Sequence, residues 1–207
     1  MVRHKNSGWI EIICGPMFSG KTEELIRRLV RAQYAKQNVA IFKPKTDDRY
    51  SDDYIVSHNK RKIKSIIVES SDEIYKLKDN ADVFGIDEAQ FFDDGIIDIA
   101  NKLASEDKRI VIAGLDKDYT GKSFGPIHQL LVDAEYVSKV NAICISCGDP
   151  ASFSQRISSE KDLVVVGETD KYEARCRKCF KPKLLGRKND WLIRYYCNSW
   201  TGVYVIK

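Results

Sequence analysis

The chain has 207 residues, with 34 Lys or Arg against 30 Asp or Glu, so its formal net charge is +4. This near balance argues against a protein that coats nucleic acid, which would carry a strong basic excess. Hydrophobic residues make up 43% of the chain, as in an ordinary globular protein, and the length predicts one main core with a small appended unit.

The N-terminal residues 1–9 lack the apolar segment of a secretory signal, and no stretch of the sequence approaches the roughly 20 apolar residues of a membrane helix. We therefore expect a cytoplasmic protein with no membrane partner. In that compartment the six cysteines are expected as metal ligands or free thiols rather than as disulfides.

An apolar run from Trp9 to Cys14 predicts a short buried strand. It leads into Gly15-Pro16-Met17-Phe18-Ser19-Gly20-Lys21-Thr22, which has the G-x-x-x-x-G-K-T pattern of a phosphate-binding loop. A helix pattern begins at Lys21, so backbone N–H groups and the positive end of the helix dipole converge on one point. Lys21 is expected to reach the β- and γ-phosphates, and Thr22 to contact Mg²⁺. The alternative is a chance match in a helix-capping loop, which the flanking strand and helix disfavour.

Between Lys21 and Gln37 the apolar residues share one helix face: Leu25, Ile26, Leu29, Val30 and Ala32. Three arginines lie off that face and are predicted to be solvated: Arg27, Arg28 and Arg31. Val39 to Phe42 predicts a second strand, which Pro44 ends. Strand, helix and strand in this order imply a parallel sheet with a right-handed crossover.

The polar, acidic segment Thr46 to Tyr54 follows that strand, at the edge where open parallel sheets bind ligands. Its composition leaves a functional loop and a solvated loop equally open. Lys60 to Lys64 predicts a solvated strand or turn, and Ser65 to Val68 predicts another strand. Ser71 and Asp72 are both able to cap the short helix that follows.

The run from Asp82 to Glu88 predicts an apolar strand that ends in two carboxylates. Asp87 is expected to hold Mg²⁺ through water. Because neighbouring side chains of a strand point to opposite faces, Glu88 would address the nucleophile instead. An ordinary acidic strand end is the alternative, and the phosphate-binding pattern upstream makes it the weaker one.

The next part of the chain continues the alternation of helices and strands. Gly95 to Ala104 predicts a helix, and Arg109 to Gly114 predicts a buried strand. After a mixed loop, Pro126 is placed to begin a helix that runs towards Ala134. Val137 to Ile145 predicts a single strand that leads out of the α/β body.

Cys144-Ile145-Ser146-Cys147 and Cys176-Arg177-Lys178-Cys179 form two C-x-x-C pairs. Four thiolates on two tight turns suit tetrahedral Zn²⁺ and leave no open position, which predicts a structural zinc. The long gap between the pairs contains the strand-like run Leu163 to Gly167, so we expect a β-loop pinned at its base by the metal. Two redox pairs are the weaker alternative. Cys14 is predicted to be a core residue, and Cys197 has no evident partner.

The residues alone therefore predict an ATP-binding, Mg²⁺-dependent α/β domain with a zinc-pinned loop. Glu88 would serve hydrolysis and phosphoryl transfer equally well. Because a transfer enzyme must exclude water from the γ-phosphate, the zinc-anchored loop is a candidate lid.

Across about residues 8 to 183 the motifs, in their order and with their fillings, resemble the cellular-type (type II) thymidine kinases. The resemblance is carried by the phosphate-binding segment and the four cysteines, together with Asp47-Asp48-Arg49-Tyr50-Ser51, Ile86-Asp87-Glu88-Ala89-Gln90-Phe91-Phe92, Gly114-Leu115-Asp116, Phe124-Gly125-Pro126 and Asp170-Lys171-Tyr172. It implies an α/β fold: a P-loop (RecA-like) parallel-sheet domain over residues 1–140, a small zinc-ribbon or lasso β domain over residues 141–183, and a tail of unknown structure over residues 184–207.

The activity that the resemblance implies is transfer of the ATP γ-phosphate to the 5′-hydroxyl of thymidine, with Glu88 as the general base. Deoxyuridine is a second acceptor that the sequence does not rank against thymidine, and the product serves nucleotide salvage for DNA synthesis. The implied ATP and phosphate residues are Gly15, Pro16, Met17, Phe18, Ser19, Gly20, Lys21, Thr22, Asp47, Arg49, Asp87 and Gln90. Of these, Thr22 and Asp87 are the implied Mg²⁺ residues.

The nucleoside residues that the resemblance implies are Met17, Phe91, Leu115, Tyr119, Phe124, Arg156, Leu163, Val164, Val165, Val166, Gly167 and Tyr172. Leu163 to Gly167 would close over the base as a lasso, and Arg156 matches a basic position near the phosphates. The resemblance also implies a homotetramer and feedback inhibition by thymidine triphosphate, whereas the near-neutral charge balance predicts no nucleic-acid partner. Two departures from the family pattern are the hydroxyl of Tyr119 and the tail after Lys183.

Two other functions stay open for the residues alone: an ATP-switched zinc module that binds nucleic acid, and a P-loop ATPase that acts on a protein partner. The charge balance and the lack of a basic stripe with interleaved aromatic residues oppose the first of them. Nucleoside-dependent formation of ADP would separate a kinase from both.

Overall fold

The structure is a computed structural model, and it describes residues 7–45, 54–56, 62–160, 162 and 170–182. Within these residues the strands, numbered in chain order, are β1 (Trp9–Gly15), β2 (Val39–Pro44), β3 (Tyr54–Val56), β4 (Lys62–Lys64), β5 (Ile66–Val68), β6 (Val83–Ile86), β7 (Arg109–Leu115), β8 (Tyr136–Lys139), β9 (Ala142–Ile143), β10 (Pro150–Ala151), β11 (Phe153–Arg156) and β12 (Tyr172–Arg175). The α-helices are α1 (Lys21–Tyr34), α2 (Asp72–Lys76), α3 (Gly95–Ser105) and α4 (Ile127–Asp133), and 3₁₀ turns cover Lys78–Asn80 and Ala89–Phe91.

Six strands form one parallel sheet in the order β5-β2-β6-β7-β1-β8. The predicted α/β fold with a parallel sheet is therefore confirmed. Because all six strands run in the same direction, their carboxyl ends lie along one edge of the sheet, where open α/β sheets bind ligands. The loops that follow β1, β6 and β7 leave from this edge.

Apolar side chains cover both faces of the sheet, as a parallel sheet requires. On one face, Leu25 and Leu29 of α1 pack with buried residues of β1, β2, β6 and β7. On the other face, α3 and α4 pack against the same strands. A Cβ at Gly85 would lie 2.5 Å from Leu29 Cδ1, so the absence of a side chain there lets α1 approach β6 closely.

The prediction that Arg28 is solvated is wrong. Its guanidinium donates to Glu11 at 2.8 Å, to Glu24 at 2.8 Å and to Ser138 at 2.8 Å. Glu11 also accepts from Arg109 at 2.7 Å. Burial raises the pKa of Glu11, but hydrogen bonds from Arg109 and Trp9 and the two guanidinium charges outweigh it and hold that pKa below its ordinary value. Arg28 thus ties α1 to β1 and β8. Arg27 and Arg31 are exposed as predicted.

Two further expectations differ from the structure. The strand predicted from Val137 to Ile145 is divided: β8 belongs to the main sheet, whereas β9 pairs with β10 outside it. Ser71 precedes α2 but makes no side-chain capping bond, because its Oγ donates to Asp93 Oδ1 at 2.7 Å instead. Among the helices of the described residues, none combines the length and the apolar character needed to cross a bilayer.

A small unit follows β8. It is built from two antiparallel strand pairs, β9 with β10 and β11 with β12. Its small core is formed by buried residues of these strands and their turns: Ala142, Cys144, Ala151, Ala174 and Cys176. We call this part of the chain, residues 142–160 and 170–182, the cysteine unit.

Candidate active site

The loop from Gly15 to Thr22 connects β1 to α1 and turns through two glycines. A Cβ at Gly15 would lie 2.2 Å from the carbonyl oxygen of Val140, so only glycine fits there. Gly20, at φ 81, sits at the start of α1, a backbone conformation that glycine adopts without steric cost. Ser19 Oγ and Lys21 Nζ donate to the carbonyl oxygen of Pro16 at 2.7 Å and 2.8 Å. The helix begins immediately after this turn, as anion binding at a helix N-terminus requires.

Asp87, which follows β6, faces this loop. Oγ1 of Thr22 donates to Oδ2 of Asp87 at 3.2 Å, which joins the ends of the two strands. Burial, together with the neighbouring Glu88 carboxylate, raises the pKa of Asp87 to about 7. A hydroxyl beside a buried carboxylate is a donor set that suits Mg²⁺, and a cation there would favour the ionised carboxylate.

The Glu88 side chain is held by a turn rather than by a strand. β6 ends at Ile86, so the predicted alternation of side chains along a strand does not reach Glu88. Glu88 instead has φ 52 and ψ 39, the left-handed region that non-glycine residues seldom occupy. Gln90 Nε2 donates to Glu88 Oε2, while Gln90 Oε1 accepts from the N–H of Leu115 at 2.9 Å. The side chains of Asp87 and Glu88 therefore contact different groups.

Charged groups surround the base of the loop. Burial lowers the pKa of Lys21, although the carboxylates of Glu88 and Asp87 act in the opposite direction. Asp116, after β7, accepts from Lys117 and Lys139 at 2.8 Å each. Burial raises the pKa of Asp116, but these two hydrogen bonds outweigh it and hold the pKa below its usual range. The sequence analysis assigned Asp116 no role, although a carboxylate that directly follows a buried strand could have indicated a site residue.

The aromatic residues predicted to contact the nucleoside form two groups. The rings of Phe91 and Phe124 meet edge to face, with centroids 5.5 Å apart. The guanidinium carbon of Arg156 lies 3.6 Å from the centroid of the Tyr119 ring. Arg156, which is 1% exposed, also donates to the hydroxyl of Tyr172 at 2.7 Å. Arg156 is thus fixed between two aromatic rings, in the arrangement of a cation–π contact.

The structure brings the two C-x-x-C pairs together. The four sulfur atoms lie within 4.8 Å of one another, and those of Cys147 and Cys176 are 3.6 Å apart. Four thiolates around one zinc at about 2.3 Å would be about 3.8 Å apart, so the cluster fits a tetrahedral ion. A backbone hydrogen bond at Asp149 lowers the pKa of Cys147, but the neighbouring thiols outweigh it and raise that pKa to about 12. Four sulfurs this close to one another are able to hold a metal ion such as zinc.

Several predicted site residues fall outside the described residues. These are Asp47, Arg49 and the lasso residues Leu163, Val164, Val165, Val166 and Gly167, as well as Cys197 and the tail. Of the others, Gln90 hydrogen-bonds to Glu88 and to the N–H of Leu115. Cys14 is fully buried, as predicted. Ser154, whose hydroxyl accepts from the N–H of Met17 at 3.0 Å, was missed, because a single serine in a strand carries no sequence signal.

A glycine-turned loop at the end of β1, a facing carboxylate at the end of β6 and an attached cysteine cluster able to hold a metal ion define a P-loop nucleotide-binding α/β protein. The family model described as thymidine kinase matches residues 8–180. The chain belongs to the thymidine kinase family.

Three curated relatives, each named thymidine kinase, are similar over most of their length. The protein of Rhodothermus sp. (strain ITI 518) is 54% identical over 88% of this chain and 86% of its own. That of Bacteroides thetaiotaomicron is 53% identical over 85% of this chain and 88% of its own. That of Bacteroides fragilis is 52% identical over 87% of this chain and 90% of its own. Among solved structures, domain III of the Thermotoga maritima replication initiation protein DnaA matches 64% of this chain and 55% of its own chain. The TM-score is 0.39 and the sequence identity 16%, so this likeness does not bear on the site.

Replacing Gln90 by Leu should destabilise the turn that holds Glu88. Leucine has a similar volume but leaves the N–H of Leu115 without its partner, which is expected to lower the free energy of unfolding by about 1–3 kcal/mol. Urea denaturation measures this change. Gln129→Leu is the matched control, because Gln129 is half-buried and bonds Asp133 at the surface. Equal stabilities of the two variants would contradict a structural role for the Gln90 amide.

Proposed function

We propose that this protein is an ATP-dependent kinase that transfers the γ-phosphate of ATP to the 5′-hydroxyl of thymidine and so forms thymidine monophosphate and ADP. The observation that carries the proposal is the family match over residues 8–180, which includes the loop, both carboxylates and all four cysteines. The named activity of the three relatives supports the same reaction.

The phosphate-binding loop has the role of holding the triphosphate. Its backbone N–H groups and the first turn of α1 offer partial positive charge to the phosphate oxygens. Lys21, whose amino group lies at this turn, neutralises the β- and γ-phosphates. Thr22 and Asp87, in contact at 3.2 Å, would hold Mg²⁺, which supplies charge neutralisation to the phosphates when it is bound.

Glu88 is the proposed general base. As the 5′-oxygen of thymidine attacks the γ-phosphorus, Glu88 accepts the hydroxyl proton, the bond to the β–γ bridging oxygen breaks, and ADP leaves. The hydrogen bond from Gln90 fixes the direction of the carboxylate. Gln90 is therefore a positioning residue, because it acts through Glu88 and the backbone of Leu115.

The thymine pocket is assigned, through the family resemblance, to these apolar and aromatic residues: Met17, Phe91, Leu115, Tyr119, Phe124 and Tyr172. Flat apolar walls suit a pyrimidine ring. The edge-to-face contact of Phe91 with Phe124 and the stacking of Arg156 on Tyr119 make these walls rigid. Leu163 to Gly167 would close over the base as a lasso, and Asp47 and Arg49 would lie beside the phosphates; all of these are assigned through the family resemblance.

The remaining expectations from the family belong to the same proposal. They comprise a division at residue 140 into a nucleotide-binding domain and a lasso domain to residue 183, assembly as a homotetramer, feedback inhibition by thymidine triphosphate, and use of deoxyuridine beside thymidine. The cysteine cluster would hold one structural Zn²⁺, whose binding free energy adds to the folding of the cysteine unit.

Nucleoside-dependent ADP formation tests the proposed reaction. Purified protein with Mg-ATP should form ADP rapidly only when thymidine is present, in amounts that match the thymidine monophosphate formed. An ATPase on a protein partner, or a nucleic-acid-stimulated module, would instead form ADP at a rate that thymidine does not change. That result would remove the kinase assignment.

Glu88→Gln should retain binding of ATP and thymidine but lower kcat by roughly 10²–10⁴-fold, because the amide cannot accept the hydroxyl proton. Steady-state kinetics and equilibrium binding separate the two effects. Glu69→Gln is the control, since the Glu69 side chain is 72% exposed and pairs only with Lys45 in the contacts of the described residues. A turnover number close to that of the unmodified protein would exclude Glu88 as the base.

Cys176→Ser should lose most of its zinc and lower the melting temperature, because one of four ligands is removed and metal binding stabilises the fold. Elemental analysis after dialysis gives the metal content. Cys14→Ala removes a buried thiol outside the cluster and should keep its zinc. If the unmodified protein contains no zinc, the metal assignment fails.

A further inference from the structure

The phosphate-binding loop contacts the cysteine unit and its connecting segment at three points. The carbonyl oxygen of Val140 lies 2.2 Å from the position that a Cβ on Gly15 would take, and the N–H of Val140 donates to the carbonyl oxygen of Cys14 at 2.8 Å. The N–H of Met17 donates to the hydroxyl of Ser154 at 3.0 Å. The Phe18 side chain packs on the core of the cysteine unit. The cysteine unit and the segment that leads into it thus contact both the start and the middle of the loop.

Two of these contacts compensate for groups that the loop does not satisfy by itself. Phe18 has φ 64, a left-handed conformation that is strained for a phenylalanine. Such a conformation persists only where the surroundings stabilise it, and here the partly buried Phe18 side chain packs against the core of the cysteine unit. The N–H of Met17 has its partner in Ser154, which is 3% exposed.

We propose that the cysteine unit supports the phosphate-binding loop, with Ser154 and Phe18 as positioning residues that preset the loop for the phosphates of ATP. The inference rests on the proposed function in one respect, that this loop binds nucleotide phosphate. The cysteine unit would then have two roles: it anchors the proposed lasso over the base, and it supports the phosphate-binding loop. Nucleotide affinity then depends on contacts that originate outside the nucleotide-binding sheet.

The physical basis is preorganisation. A loop that is held in its binding conformation loses less conformational freedom when phosphate binds. If the hydrogen bond to Met17 or the Phe18 contact is removed, the loop also adopts conformations that do not bind phosphate. The apparent dissociation constant then rises in inverse proportion to the fraction of molecules in the binding conformation. The change should therefore appear in nucleotide binding itself, before any chemical step.

Ser154→Ala tests the proposal in the full-length, zinc-containing protein. The dissociation constant of Mg-ADP, measured by calorimetry without thymidine, should rise about 3- to 10-fold, the equivalent of one hydrogen bond. Hydrogen exchange at residues 15–20 should become faster, while the zinc content stays unchanged. Ser154→Thr keeps the hydroxyl and should restore affinity and protection.

Ser152→Ala is the matched control, since it removes a serine hydroxyl two residues away that makes no hydrogen bond among the described residues. Phe18→Ala tests the second contact without changing β11, and it should weaken Mg-ADP binding to a similar degree. Phe18→Leu keeps an apolar side chain of similar bulk and should weaken binding less.

The outcomes are distinct. If Ser154→Ala and Phe18→Ala both retain zinc and bind Mg-ADP within about twofold of the unmodified protein, the proposal is overturned. If the unmodified protein itself does not bind Mg-ADP, the proposed kinase function and this proposal are both overturned, a result distinct from binding that neither variant changes. If Ser154→Ala does not fold, the Phe18 pair decides alone.

Discussion

The contact between Thr22 and Asp87, 3.2 Å from hydroxyl to carboxylate, is the point on which the candidate site depends. It exists because β1 and β6 both pair with β7 in a parallel sheet and end on the same edge. One strand delivers a loop rich in backbone N–H groups and a lysine, and the other delivers two carboxylates. A lysine and two carboxylates thereby lie close enough to act on one another at one edge of the sheet. Fixed charges of this kind are the electrostatic preorganisation that the proposed phosphoryl transfer needs.

Much of this arrangement follows from the sequence, because it is encoded locally. The apolar run before Gly15, the helical stripe after Lys21 and the strand before Asp87 are each visible in a short window. Parallel order then follows from the crossover rule. The C-x-x-C spacing of the two cysteine pairs predicts a metal site, and the structure brings their sulfurs within 4.8 Å of one another. The phosphate and metal chemistry is therefore the part that short-range pattern reasoning reaches.

The rest depends on partners that are distant in sequence. Arg28 was predicted to be solvated because helix periodicity gives no information about Glu11. Glu11 lies in the neighbouring strand β1 and accepts a hydrogen bond from Arg28. Ser154 is 137 residues from Met17, and no motif links a hydroxyl in one unit to a backbone N–H in another. The orientation of Glu88 comes from Gln90 and a left-handed backbone rather than from strand alternation. Each of these facts is set by tertiary packing, which a local window does not contain.

Backbone strain distinguishes the site from the rest of the described chain. Among those residues, four non-glycine positions have positive φ: Phe18, Lys36, Glu88 and Asp107. Lys36 and Asp107 are exposed and lie just after α1 and α3, where helices commonly end in a left-handed residue. Phe18 and Glu88 do not follow the C-terminus of a helix, and both lie at the site. Phe18 packs against the core of the cysteine unit. The Glu88 side chain accepts from Gln90 of the same turn, whose amide oxygen in turn accepts from the N–H of Leu115 in β7. Strain of this kind persists only when neighbouring structure determines it, so the geometry of the phosphate loop and of the carboxylate is a property of the assembled units and not of either segment alone.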